Sequence, residues 1–78
     1  MLIPVVDLKL TGQNITVLRK RSGISVRELQ NILGFATPQA IYKWQRGETL
    51  PTVENLAALA FVLGVSVEDI LVVKCYQR

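Results

Sequence analysis

An all-α fold of five short helices is what this 78-residue sequence predicts, and three observations carry the prediction. Apolar residues recur three and four apart in successive segments, the spacing of one helix face. Polar capping residues and glycines punctuate the chain at short intervals. Half of the residues are apolar against only 5 Gly and 3 Pro, a composition that folds, and the length leaves room for a single core.

In chain order, Thr11 stands before a segment with Ile15 and Leu18 on one face, closed by Gly23 after the basic run Arg19-Lys20-Arg21. A first helix is expected there. Ser25-Val26-Arg27-Glu28 has the form of a capping box, in which serine and glutamate satisfy each other's end of the first turn. Leu29, Ile32 and Leu33 then form an apolar stripe, and Gly34 supplies a left-handed stop. Thr37-Pro38 is read as an N-cap followed by proline at the first helical position, where a missing N–H costs nothing. In this third helix Ile41 and Trp44 share a face that points to the core, and Gln39, Tyr42, Lys43 and Arg46 occupy the remainder up to Gly47. Thr52 caps a strongly apolar fourth helix through Leu56, Leu59, Ala60 and Leu63 to Gly64. Ser66-Val67-Glu68-Asp69 opens a fifth, with Ile70 and Leu71, ending near Val73. The apolar start and the stretch Val72–Tyr76 are β-prone, and either could pair with the other or with a second chain, but irregular arms are the expectation from base rates. The chain therefore divides into an N-terminal arm (1–10), a helical domain (11–73) and a C-terminal tail (74–78).

Charge is unevenly spread. Residues 1–47 carry seven basic side chains against two acidic, whereas residues 48–78 carry two basic against four acidic. Such asymmetry suits a face presented to a polyanion, although small charge blocks are commonly just solvated surface. Arg19, Lys20 and Arg21 are open to either reading. The single cysteine and the absence of histidine exclude an internal disulfide and the usual structural zinc set, and they fit a reducing cytoplasm. Cys75 is read as an inert thiol. The apolar opening stops at Asp7, lacks a basic n-region and is too short for a signal peptide, and no run approaches the length of a membrane span. No metal, cofactor or small-molecule substrate is expected.

The joint between the second and third helices is the informative feature. A short helix with amide and basic tips, held at a fixed angle by the helix before it, is what reading the DNA major groove requires. The stretch Ile24 to Leu71 resembles the phage-repressor-like helix-turn-helix domains of the Cro/C1 or XRE group. The likeness lies in the Ser-x-x-Glu-Leu opening of the second helix and the Ile-x-x-Trp-x-x-Gly of the third. It continues in Leu50-Pro51-Thr52 and in Leu63-Gly64-Val65-Ser66. This resemblance implies a compact five-helix lambda-repressor-like fold that binds double-stranded DNA. Anchored on Ile41, it puts the base-reading positions on Thr37, Pro38, Gln39, Tyr42 and Lys43, and the phosphate contacts on Ser25, Arg27 and Arg46. Glutamine matches adenine and lysine can reach guanine N7 and O6. Two features depart from the family pattern: the interval from Gly34 to Ile41 is one residue longer, and Gln45 stands where glutamate is common. Pro38 also removes a possible amide reader.

A transcriptional regulator, either a repressor or an antitoxin-like autoregulator, is therefore the leading expectation, and a protein-interaction module on the same fold is the alternative. Catalysis has no support, because without histidine, a Gly-rich phosphate loop or clustered carboxylates beyond Glu68-Asp69 the usual acid, base and nucleophile sets cannot form. A homodimer is expected, with Ile70 to Val73 or the arm Leu2 to Val6 as the surface shared between subunits.

Overall fold

A computed structural model describes residues 1–77 of the chain; Arg78, the end of the predicted tail, lies outside the described residues. The elements are β1 (Leu2–Val6), α1 (Leu8–Arg21), α2 (Val26–Leu33), α3 (Gln39–Gln45), α4 (Val53–Leu63), α5 (Val67–Ile70) and β2 (Val73–Gln77). The five helices form around one core to which every helix contributes. Ile15 and Leu18 come from α1, Leu29 from α2, Ile41 and Trp44 from α3, Leu56, Leu59, Ala60 and Leu63 from α4, and Ile70 from α5.

Local chemistry sets most of the helix limits. Ser25 Oγ accepts from the Glu28 amide at 3.0 Å while a Glu28 carboxylate oxygen accepts from the Ser25 amide at 3.2 Å, which closes the predicted capping box. Ser66 and Asp69 repeat the arrangement at the start of α5. Thr52 caps α4, and α4 ends on Gly64 with φ +67°, a backbone region where a side chain would be strained. One core expectation fails, because Ile32 is 55% exposed: α2 turns Leu29 inward and leaves Ile32 on an outer apolar groove with Leu33, Phe61 and Val62.

Three expectations about the ends of the domain are also overturned. Helix α1 begins one turn before Thr11, because Asp7 is a strong N-cap whose Oδ1 accepts from the Leu10 amide at 2.7 Å. Thr11 is instead fully buried, and its hydroxyl oxygen accepts from the Val72 amide at 2.9 Å. The arms are not irregular. β1 and β2 pair antiparallel, with Leu2 opposite Gln77 and Val6 opposite Val73. The folded domain brings two β-prone segments side by side, where each satisfies main-chain groups of the other. Lys74 Nζ, 3.0 Å from Asp7 Oδ2, fastens the base of this ribbon. Finally, α5 stops at Ile70 rather than near Val73, because Leu71 is extended and the chain beyond it enters β2. Asn14 secures that end by donating to the carbonyls of Asp69 and Ile70 at 2.7 and 2.9 Å, which supplies partners for groups that a helix end leaves open.

Candidate nucleic-acid interface

Helix α3 is held from within on three sides. Ile41 is fully buried and Trp44 almost so, with the Phe35 ring edge-on to Trp44 at 5.8 Å and 70° between planes. On the α1 side, Gly12 lets the two backbones meet: a Cβ built there would overlap the Trp44 carbonyl oxygen and lie 2.8 Å from that of Gln45. Arg19 completes the seam. Its Nε donates to Gln45 Oε1 at 2.9 Å and a terminal nitrogen donates to the Ile24 carbonyl at 2.8 Å. Arg19 is thus a clamp between helices, and Gln45 answers it with a neutral amide oxygen in place of a carboxylate. Lys20 and Arg21 remain exposed.

The turn before α3 is ordered by backbone bonds. Gly34 adopts φ +74°, and the Phe35 amide donates to the Gln30 carbonyl at 3.0 Å, so α2 ends in a left-handed cap. Gln30 Nε2 returns to the Phe35 carbonyl at 3.3 Å. The helix then starts one residue later than the sequence suggests. Pro38, not Thr37, is the N-cap, and no side chain caps this end. The extended turn carries the chain past Thr37, and the first helical bond runs from the Tyr42 amide to the Pro38 carbonyl at 3.1 Å. Thr37 therefore stands exposed ahead of the helix and does not cap it.

The outer face of α3 is the opposite of its inner one. Gln39, Tyr42 and Lys43 are exposed, and none of their side chains, nor that of Arg27, is tied to another described residue by a hydrogen bond or ion pair. Arg27, Pro38 and Tyr42 meet in a polar cleft of about 380 Å³ between α2 and α3, together with Val26, Gln30 and Asn31. Gln30 and Asn31 did not figure among the sequence candidates. The signal for Asn31 was its spacing of four from Arg27, which places both on one helix face. Ser25 and Arg46 lie outside this cleft. The Ser25 hydroxyl is committed to its cap, and Arg46 is ion-paired with Glu48 through its Nε. The shifted carboxyls and amine lie elsewhere: Asp69 is held below the usual range by the Ser66 amide, and Asp7 by the Leu10 amide and then by Lys74.

Helix α3 is thus pinned on one side, and among the described residues the amide, phenol and amine tips on its other side have no hydrogen-bond or ion-pair partner. A sequence model of the helix-turn-helix family matches residues 15–70, which is most of the chain. The chain belongs to the XRE-type helix-turn-helix family. In this XRE-type domain α2, the turn and α3 form the helix-turn-helix unit. Similar solved structures include the restriction-modification controller protein C.AhdI from Aeromonas hydrophila, at 25% identity and TM-score 0.73, covering 82% of this chain and 96% of that one. The BldD DNA-binding domain of S. venezulae is also similar, at 25% identity and TM-score 0.71, covering 85% of this chain and 97% of that one. So is the clp gene regulator ClgR from C. glutamicum, at 25% identity and TM-score 0.73, with coverage of 87% and 86%. No curated protein matches the sequence. Among the described residues, no helix is long and apolar enough to cross a membrane.

Proposed function

We propose that the chain is a sequence-specific DNA-binding transcription regulator, a repressor or autoregulator without catalytic activity, that works in the cytoplasm. In this reading α3 enters the major groove, Gln39, Tyr42 and Lys43 read base edges with Thr37 beside them, and Ser25, Arg27 and Arg46 hold phosphates. The observation that carries it is the division of α3 into a clamped inner face and an outer face on which Gln39, Tyr42 and Lys43 have no hydrogen-bond or ion-pair partner among the described residues. The similar solved proteins are described as a controller protein, a DNA-binding domain and a gene regulator, which supports the same reading.

The working species is a homodimer on a two-fold site. A single recognition helix reads about four to six base pairs, too few to stand out against a genome of competing sites. Doubling through a two-fold axis squares the discrimination and sets half-sites about 10 base pairs apart. The test is duplex binding across a salt series. With three to six phosphate contacts, a log–log plot of affinity against salt should slope by about −3 to −6. A flat plot removes the DNA reading.

A further inference from the structure

We propose that the outer edge of β2 is the subunit interface, where a second copy of this chain adds its own β2 antiparallel to give a four-stranded sheet in the order β1-β2-β2-β1. The inference rests on the homodimer reading above and names the surface that makes it. It starts from an asymmetry between the two edges of the ribbon. The Asp7 amide donates to the Val72 carbonyl at 2.8 Å, in register with the pairs Val6 with Val73 and Val5 with Lys74. Antiparallel pairs alternate between those that exchange hydrogen bonds and those that do not. Val5 with Lys74 and Ile3 with Tyr76 are therefore the bonded pairs, and the main-chain groups of Leu2, Pro4 and Val6 on one strand, and of Val73, Cys75 and Gln77 on the other, point outward.

The β1 edge is guarded. Pro4 sits at the centre of its outward set and has no N–H to offer, so a strand added there would lose its middle bond. The β2 edge has no such guard: all five of its residues are exposed, and its outward set retains every amide. Lysine is a common edge charge against association, but Lys74 is already neutralised by Asp7 at 3.0 Å within its own subunit. A two-stranded ribbon alone is marginal in water, and three or more strands are needed for independent stability. This ribbon carries Leu2, Val5, Val73 and Tyr76 exposed along its length, more apolar surface than a solvated pair requires.

The occupant that fits an unguarded antiparallel edge across a two-fold axis is the same edge. Centring the axis on Cys75 sets Val73 against Gln77 of the second copy and Cys75 against itself, which satisfies all three outward residues of both chains. Lys74 then faces Tyr76 of the second copy on one side of the sheet. The register differs from what other occupants would give: a dimer built on the apolar groove around Ile32 and Phe61 leaves β2 untouched, and a foreign strand gives no symmetry about Cys75.

The test uses the intact chain and its one native cysteine. A spin label on Cys75 projects from the sheet face, not its edge, and should give strong dipolar broadening at concentrations where sedimentation shows dimer, fading on dilution with unlabelled protein. Hydrogen exchange should show the amides of Val73, Cys75 and Gln77 slowing at least tenfold from dilute to concentrated protein. Cys75→Pro removes only an outward amide and should weaken dimerisation at least tenfold with helical circular dichroism unchanged; if that variant misfolds, the exchange pattern of the unmodified chain decides. Dimers with unbroadened spectra and fast exchange at these three amides would overturn the β2 interface while leaving the homodimer intact. A chain that remains monomeric both free and when bound to duplex DNA overturns both.

Discussion

The two faces of α3 are built from neighbouring residues and follow opposite rules. On the inner face Ile41, Trp44 and Gln45 each meet a specific counterpart: the core, the Phe35 ring and Gly12, and the Arg19 guanidinium. On the outer face Gln39, Tyr42 and Lys43 have no hydrogen-bond or ion-pair partner among the described residues. A reading helix must lose little freedom when it docks, and the inner contacts meet that cost during folding. The outer side chains keep their hydrogen-bonding capacity for a ligand. In the proposed reading, stability and recognition fall on opposite faces of this helix, and substitutions on the two faces should separate them.

The largest effect is expected inside. Trp44→Ala removes a nearly buried ring and its contact with Phe35, and should cost about 3–5 kcal/mol in urea unfolding. In a domain with one small core that leaves little folded protein, so binding should fail on every DNA sequence together. A variant that stays fully stable would show that the inner face is not the anchor.

Outside, Gln39→Ala and Lys43→Ala should each weaken binding to the preferred site by about 1–3 kcal/mol and flatten the preference, with the melting temperature unchanged. Arg27→Ala should instead weaken all sequences alike and reduce the salt slope by about 1. If the outer substitutions lowered the melting temperature as Trp44→Ala does, the separation of faces would be lost.

At the end of the helix the two rules overlap, because Arg46, assigned to phosphate in the proposed function, is already engaged by Glu48. Both partners are well exposed, so the pair contributes little to folding. Glu48→Gln should leave stability within about 0.5 kcal/mol and tighten DNA binding by up to about 1 kcal/mol, independent of sequence. Unchanged affinity in a filter-binding or anisotropy titration would remove Arg46 from the phosphate set.

The smallest effect lies farthest from α3. Asp7 is held below its ordinary value of 3.8 by the Leu10 amide and by Lys74, so its ionised form favours the folded state. That contribution is complete above the ordinary value and is lost as the pH falls through the lower folded value. Melting curves from pH 7 to pH 2 should show the chain and Asp7→Asn converging below about pH 4. A constant gap between them would mean that the ion pair with Lys74 does not secure the ribbon.

Much of the helical architecture was legible in the residues themselves. The capping boxes at Ser25 and Ser66, the Thr52 cap and the left-handed stops at Gly34 and Gly64 are local devices, satisfied within one turn, and each stands where its residues placed it. The buried pair Ile41 and Trp44 followed from spacing alone. Ile32 did not, because a stripe on a short helix says which residues share a face and not how far the neighbouring helix α4 reaches across it. Thr11 and Asp7 show the same limit at a helix start. Both can cap, and only the Val72 amide, 61 positions along the chain from Thr11, decides that the threonine is needed inside.

By itself, then, the sequence determined the five helices, the caps at Ser25, Thr52 and Ser66 and the polar edge of α3, because these depend on contacts within a few residues. Tertiary structure decided the rest. Arg19 became a clamp because Gln45 and Ile24 converge on it, Gly12 became an interhelical contact because α3 crosses it, and the two arms became a ribbon because the folded helices deliver their ends side by side. Each of those outcomes depends on groups distant in the chain, whose meeting no local spacing encodes.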